Sequence, residues 1–229
     1  MASSWSPPLR PAAYAEQSLI NAILEGEFLP GSTLPAEREL AARLGVTRPT
    51  LREALQRMER DGWLVIQQGK PTRVNNIWVN GGLNVLSALV RSEQELPADF
   101  IPNLLAVRLV LAPAYARAAV QNDPKMVLDC LRAADELDDT PESYAAFDWR
   151  LHHTLTIASA NPIYTLILNG FAGFYEQMAQ RYFRRTDARQ ASRAFYTALQ
   201  EAVEAGNAAR AEAVTQSVMQ ASQMLWQAS

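Results

Sequence analysis

Two threonines and two arginines lie within one short segment of the chain, at Thr47, Arg48, Thr50 and Arg52. A guanidinium group offers a forked pair of donors that matches the major-groove edge of guanine, and hydroxyl groups can hold phosphate oxygens. The surrounding segment 38–73 contains eight basic and four acidic residues, whereas the whole chain has a net charge of −3. A basic segment in an otherwise acidic chain favours a DNA-binding module.

Asp148 and His152 are the second pair of residues that could do chemistry, because they stand four positions apart on one face of a predicted helix. Two ligands do not hold a divalent ion tightly. The chain has one cysteine and two histidines, which excludes an intrachain disulfide and a cysteine-rich metal site. We therefore expect no metal and interpret the pair as a polar contact at a helix surface or in the core.

A third candidate is an apolar site in the helix predicted for 162–185, where Tyr175 and Tyr182 belong to a series of large side chains interleaved with small ones. Small residues beside large ones can leave a cavity, although the same pattern also fits an ordinary core. Five arginines follow between Arg181 and Arg193 and could bind an anion or simply be solvated.

The elements that would position the basic residues are helices over about 12–27, 35–44 and 48–61. Gly45 is predicted to end the second helix and Thr47 to cap the third. Two short strands around a Gly-Pro turn follow, over 63–67 and 72–74. Two helices separated by a three-residue turn and followed by a hairpin predict a winged helix-turn-helix.

The rest of the chain is predicted to be all-helical. The domains expected are a DNA-binding domain over 1–76, a linker over 77–82 with Gly81-Gly82 as a pivot, and a ligand-binding domain over 83–229. The latter has seven predicted helices, over 83–95, 98–120, 124–137, 141–160, 162–185, 188–205 and 207–227. The fold class is thus mainly α. With no long uncharged apolar run and no leader, we expect a cytoplasmic protein without membrane contact.

Residues 34–74 (LPAERELAARLGVTRPTLREALQRMERDGWLVIQQGKPTRV) resemble the DNA-binding domain of the GntR superfamily of bacterial transcription factors. The helical remainder resembles the ligand domain of its FadR subfamily, in the branch that responds to fatty acids. The closer match lies in 61–64, 69–72, 74–76, 161–164 and 166–170. The resemblance implies a homodimer on a palindromic operator, released when long-chain acyl-CoA occupies the helical domain. It also implies repression of fatty-acid degradation genes and activation of synthesis genes.

The resemblance also implies roles for individual residues. The expected operator contacts are Arg38, Thr47, Arg48, Thr50 and Arg52 on the helices, with Gly69 and Lys70 at the wing tip reaching the minor groove. Arg108, Ser222 and Trp226 match positions associated with ligand response in that branch. With Tyr175 and Tyr182 from the apolar pattern above, they are the expected ligand-binding residues. Pro49 and Gln68 depart from the pattern, because that branch more often has a hydroxyl residue and a histidine there. Operator preference is expected to differ somewhat as a result.

Two alternatives remain open. A regulator of another acidic metabolite, such as a carboxylate, would share the fold, but many such subfamily members hold a metal with one Asp and three His, and this chain offers only Asp148 and His152. An acyl-CoA-processing enzyme tethered to DNA would need catalytic residues, and the sequence shows no Ser/His/Asp set, no paired acid/base carboxylates and no glycine-rich phosphate loop.

Overall fold

The computed structural model describes residues 10–91 and 97–227, which divide into two compact units, Met1–Leu96 and Pro97–Ser229. The first unit contains five helices and a two-stranded sheet within its described part. They are α1 (Pro11–Leu24), α2 (Glu37–Leu44), α3 (Arg48–Arg60), β1 (Leu64–Val65), β2 (Arg73–Val74), α4 (Ile77–Asn80) and α5 (Asn84–Arg91).

The turn between α2 and α3 forms for the reasons that the sequence gives. Gly45 ends α2 in the left-handed conformation, with φ of 67°. Thr47 caps α3, and its side chain accepts a hydrogen bond from the Thr50 backbone N–H. Pro49 lies in the first turn of α3, where its missing N–H costs little. Leu51 and Met58 of α3 are fully buried, so the helix is anchored by one face while its first turn stays exposed.

The wing is a hairpin in which Leu64 pairs with Val74 and Val65 with Arg73. A bridge between Thr33 and Arg73 adds the segment before α2 to the same sheet. The sequence predicted only an interruption between two helices at that segment, because two prolines and a glycine do not indicate an extended strand.

The segment predicted as a pivoting linker contains α4 and packs tightly against the end of α3. A Cβ on Gly62 would lie 2.6 Å from the Asn80 carbonyl oxygen, and one on Gly81 would lie 2.5 Å from that of Ile77. Asn84 also donates to Asp61 at 3.2 Å. Gly62 therefore permits a close approach of the end of α3 to residues 80–81, while Gly81 leaves room for the Ile77 carbonyl one turn earlier. The first compact unit continues through α5.

The second unit is a bundle of α-helices with one short 3-10 turn, Arg132–Ala134, in its described part. The helices are α6 (Phe100–Asn122), α7 (Pro124–Leu131), α8 (Pro141–Ala158), α9 (Pro162–Gly170), α10 (Ala172–Phe183), α11 (Thr186–Glu204) and α12 (Ala208–Gln227). α6 packs along α12, and α8 packs against α10. Leu151, Leu155 and Leu199 are fully buried at the centre of the core.

One predicted helix needs correction. The helix predicted for 162–185 is two helices, because α9 ends at Gly170 and α10 starts after Phe171. A glycine has the weakest helix preference other than proline, so the break falls there. The helix predicted for 83–95 is present as α5, and residues 92–95 lie outside the described part.

α6 is the one helix of the described residues that is long and apolar enough to cross a membrane. It packs along α12 within the bundle and carries Arg108, which points to a core helix rather than a membrane span.

Candidate functional site

The exposed first turn of α3 gathers the hydroxyl groups expected to bind DNA. The hydroxyl groups of Thr47 and Thr50 lie 2.8 Å apart and share a hydrogen bond. The Thr50 backbone N–H donates to the same Thr47 oxygen at 3.3 Å. Arg48 and Arg52 are exposed beside them. The predicted residues are therefore on one accessible surface at the positive end of a helix, where anions are stabilised.

Glu37 at the start of α2 holds both arginines. The Arg52 Nε donates to Glu37 Oε2 at 2.8 Å, and an Arg48 Nη2 lies 3.7 Å from the same oxygen. The carboxylate is half-buried, whereas both guanidinium groups are more than half exposed. Sequence reasoning missed Glu37, since it lies eleven and fifteen residues away along the chain.

Arg38 and Lys70 differ from most basic residues of the segment, because neither makes an ion pair with any residue that the structure describes. Other arginines are already engaged: Arg43 pairs with Glu27, Arg57 with Glu53 and Glu16, Arg60 with Asp61, and Arg73 donates to the Gly31 carbonyl. Arg38 on α2 and Lys70 at the wing are both exposed. These two cations are available to an external anion.

The tip of the wing is a turn in which the Lys70 N–H donates to the Gln67 carbonyl oxygen at 3.0 Å. Gly69 has φ of 74°, so any other residue would be strained there. Gln68 is exposed at the same turn. The glycine therefore presents Lys70 and Gln68 at the end of the hairpin.

The second unit contains a cavity of about 90 Å³ between α6, α8, α9, α10, α11 and α12. Its wall includes all five residues predicted to bind ligand: Arg108, Tyr175, Tyr182, Ser222 and Trp226. The remaining lining is largely aliphatic and aromatic, including Leu104, Phe171, Phe174, Met178 and Phe195. The sequence pattern left open whether these side chains fill a core or line a cavity, and the structure has a small space between them.

Asp148 is the centre of a polar cluster in the wall of this cavity. It accepts hydrogen bonds from the hydroxyl groups of Tyr175 and, at 3.2 Å, of Tyr196. An Arg108 Nη2 lies 3.6 Å from the same carboxylate and 3.5 Å from the Tyr175 hydroxyl. Arg108 also stacks over the Tyr175 ring. Burial and the neighbouring Asp148 raise the pKa of the Tyr175 hydroxyl, so it remains a donor to the carboxylate.

His152 extends the cluster into the core. Its Nδ1 lies 2.7 Å from the Tyr115 hydroxyl, and its Nε2 lies 3.8 Å from Asp148 without a hydrogen-bond partner. The side chain is fully buried, and burial lowers its pKa to about 4. The imidazole is therefore neutral near pH 7. Asp148 and His152 form a buried polar pair, which was one of the two interpretations of the sequence.

Ser222 and Trp226 lie one turn apart on α12 and face α10. The Tyr182 hydroxyl donates to the Ser222 Oγ at 3.2 Å, and burial raises the pKa of this tyrosine. The Arg181 guanidinium lies over the Trp226 ring, 5.4 Å from its centroid. Two side-chain contacts thus link α10 to α12 beside the cavity.

Within residues 10–91 and 97–227, no three His, Cys, Asp or Glu side chains come together in a group that could hold a metal ion. The neighbours of Asp148 are phenol, guanidinium and imidazole groups, and one of the phenols is supplied by Tyr196 of α11.

Two family profiles cover almost the whole chain. Residues 11–74 match the gntR family of bacterial regulatory proteins, and residues 75–229 match the FadR C-terminal domain. The chain belongs to the GntR family, with a FadR C-terminal domain. The winged unit is therefore an operator-binding domain and the helical unit a ligand-binding domain.

Similar proteins agree with that assignment. The chain is 47% identical to the fatty acid metabolism regulator protein of Shewanella pealeana over 83% of its length and 80% of the relative's. It is also 47% identical to the protein of that name from Shewanella oneidensis, over 86% and 82%. A solved structure titled for Lar, which controls expression of the Listeria monocytogenes agr system, shares the fold with a TM-score of 0.64 at 18% identity, covering 96% of this chain and 98% of that one. The chain is a transcription regulator of fatty acid metabolism and not an enzyme.

Proposed function

We propose that this protein is a cytoplasmic homodimeric repressor that leaves a palindromic operator when its helical domain binds long-chain acyl-CoA. It represses genes of fatty-acid degradation and activates genes of synthesis. The observation that supports this most directly is the aromatic cavity with Arg108 in its wall, in a chain that also exposes Arg48 and Arg52 on a helix-turn-helix. The apolar wall of the cavity can contact an acyl chain once the lining helices separate, and the two exposed arginines can read base edges.

The exposed cations of the winged unit have different roles in DNA binding. Arg48 and Arg52 are aligned by Glu37 and can present forked donors to guanine in the major groove. Arg38 and Lys70 contact the duplex from α2 and from the wing, with Gly69 letting the backbone approach the minor groove. Thr47 and Thr50 hold phosphates beside the first turn of α3.

The size of the cavity implies how the ligand acts. The free space between the lining helices is small in this structure, so we expect the helices to separate when a sixteen-carbon chain enters. Burial of each methylene contributes about 0.8 kcal/mol, which favours the opened bundle over the closed one. A ligand that binds one arrangement of the bundle better can shift the operator-binding equilibrium.

Hydrogen bonds and ion pairs between the helices around the cavity would also change when a ligand binds. Tyr182 and Ser222 join α10 to α12, while Arg108 and Tyr175 join α6 and α10 to Asp148 of α8. A chain entering between these helices breaks or rearranges such contacts. Ser222 and Trp226 therefore act in the response to ligand rather than in DNA binding.

The proposal is tested with a labelled duplex enriched from a random-sequence pool by the purified protein. Fluorescence anisotropy should show release of this duplex by palmitoyl-CoA and oleoyl-CoA, and little release by CoA alone or by hexanoyl-CoA. Affinity should rise about fourfold per methylene until the cavity is filled. Unchanged DNA affinity at saturating long-chain acyl-CoA would refute the proposed effector.

A further inference from the structure

The five arginines between Arg181 and Arg193 are not equivalent in the structure. Arg185 pairs with Asp187 at 2.7 Å, and Arg189 pairs with Asp139 at 2.6 Å. The Arg193 Nε donates to the Tyr144 hydroxyl at 2.9 Å. Arg189 and Arg193 thus join distant parts of the bundle, whereas Arg185 makes a local ion pair at the start of α11.

Arg181 and Arg184 remain. Both are exposed on the last turn of α10 or just beyond it, and neither makes an ion pair with a residue that the structure describes. Arg181 lies over the ring of Trp226, which itself lines the cavity. A cation that is stacked on an aromatic ring and lacks a carboxylate partner can still receive an anion.

Arg181 lies next to residues that form the wall of the cavity. Its neighbour Tyr182 lines the cavity and donates to Ser222, while Trp226 lies one turn further along α12. The exposed guanidinium of Arg181 therefore lies in solvent beside Trp226, a residue of the cavity wall. Arg108, by contrast, lies deeper and is already bonded to Asp148 and Tyr175.

We propose that Arg181 binds the anionic head group of the ligand whose acyl chain enters the cavity, with Arg184 beside it. This rests on the proposed function, because it assumes that the cavity takes an acyl compound. The head group is assigned to the phosphoryl groups of an acyl thioester, which carry several charges and extend well beyond the cavity. A fatty-acid carboxylate has the same kind of affinity for arginine, and the experiment separates the two.

The test compares Arg181→Ala with Arg150→Ala in the full-length protein. Arg150 is a matched control, since it is also exposed and stacked on an aromatic ring, at 5.1 Å from Phe147, but that ring does not line the cavity. Calorimetry is run with palmitoyl-CoA, with palmitoyl-pantetheine, which has the same chain and thioester without phosphates, and with palmitate.

Arg181→Ala should weaken palmitoyl-CoA binding about 10-fold to 100-fold and flatten its salt dependence, as expected for loss of a charge-assisted contact. It should leave palmitoyl-pantetheine binding unchanged, and Arg150→Ala should change neither. Equal losses for both thioesters would overturn the proposal, because they would indicate a structural role. Unchanged palmitoyl-CoA affinity in the variant would overturn it as well, while leaving the proposed function intact.

Two other outcomes would overturn both proposals. If the wild-type protein binds palmitate in an Arg181-dependent manner but not palmitoyl-CoA, Arg181 binds a carboxylate. The assignment to phosphoryl groups and the proposed effector are then both wrong. If the wild-type protein binds none of the three probes, both proposals are overturned.

Discussion

The first turn of α3 and the wall of the helical cavity both rest on arginine and carboxylate, but in opposite surroundings. On the surface, Arg48 and Arg52 share Glu37, and all three side chains are at least one-third exposed. In the cavity, Arg108 faces Asp148, whose side chain is 10% exposed. The surface arginines can therefore leave their carboxylate for another anion, whereas Arg108 stays paired with Asp148.

Solvent is the cause of the difference. An exposed ion pair contributes about 0–1 kcal/mol, so a guanine edge or a phosphate can replace Glu37 at little cost. Removing one partner of a buried pair leaves an uncompensated charge and is far more damaging. Exposed pairs suit a surface that must change partners with DNA, and buried pairs suit an element that must hold several helices in register.

Asp148→Asn should give the largest effect of the changes considered. The substitution keeps the shape but removes the charge opposite Arg108, and two tyrosine hydroxyl groups lose an ionised acceptor. We expect a loss of about 3–5 kcal/mol in the free energy of unfolding, measured with chemical denaturant. Glu37→Gln is the matched surface change and should cost less than about 1 kcal/mol. Equal losses for the two variants would show that burial does not make the Asp148 contacts more important for stability than those of Glu37.

The pH dependence of stability should reveal His152. Its pKa of about 4 in the folded protein lies below the ordinary value of 6.5, so below pH 6.5 the unfolded chain binds a proton that the folded chain does not. The free energy of unfolding is therefore not reduced by this group above pH 6.5. It falls by about 3 kcal/mol as the pH drops from 6.5 to about 4.

The neighbouring histidine provides the control for this measurement. His152→Gln should flatten the decline in stability between pH 6.5 and pH 4, whereas His153→Gln should keep it. Because the chain has only these two histidines, imidazole resonances can be followed for each one separately. A His152 resonance that titrates near pH 6.5 in the folded protein would contradict its burial beside Tyr115.

Arg48→Ala and Arg52→Ala should each remove specific operator binding while leaving the helical unit folded. Each lost guanine contact is worth about 1–3 kcal/mol of discrimination against the wrong base. Arg60→Ala serves as the control, since Arg60 is exposed on the same helix but pairs with Asp61 at its far end. Gel-shift titrations on operator and scrambled duplexes measure the effect; retention of wild-type selectivity would remove these residues from the interface.

Lys70→Ala should have the smallest effect on DNA affinity, and the effect should not depend on the DNA sequence. If the wing lysine contacts phosphate, its loss weakens binding to all sequences alike and lowers the salt slope by about one unit. Titrations over a range of salt concentrations measure that slope. A loss confined to the operator, with the slope unchanged, would instead assign Lys70 to base reading.

The sequence predicted best what local patterns determine. The caps at Gly45 and Thr47, the hairpin and most helices follow from spacing within one or two turns. Resemblance to a family supplied Arg108, Ser222 and Trp226, and the pattern of large and small side chains supplied Tyr175 and Tyr182. All five residues line the cavity. The contacts of Glu37 with Arg52 and of Tyr196 with Asp148 could not be predicted, because they join residues far apart in sequence.

Close packing was equally hidden from the sequence. The sequence predicted a pivot at Gly81-Gly82, and it did not indicate that the missing side chain of Gly62 lets residues 80–81 pack against the end of α3. The division of the Arg181–Arg193 series into engaged and available cations also depends on which carboxylates the fold places nearby. A charge pattern shows that cations are present, and only packing shows which of them remain open to a ligand.

The central claim is that an acyl thioester in the helical domain and DNA on the winged domain act on one equilibrium. Coupling of this kind is reciprocal, so operator DNA must weaken acyl-CoA binding by the factor by which acyl-CoA weakens operator binding. Calorimetric titration of palmitoyl-CoA into the protein, alone and saturated with operator duplex, measures this directly. We expect a lower affinity for palmitoyl-CoA in the presence of operator and no change with a scrambled duplex. Identical affinities in all three titrations would show that the two domains are not coupled.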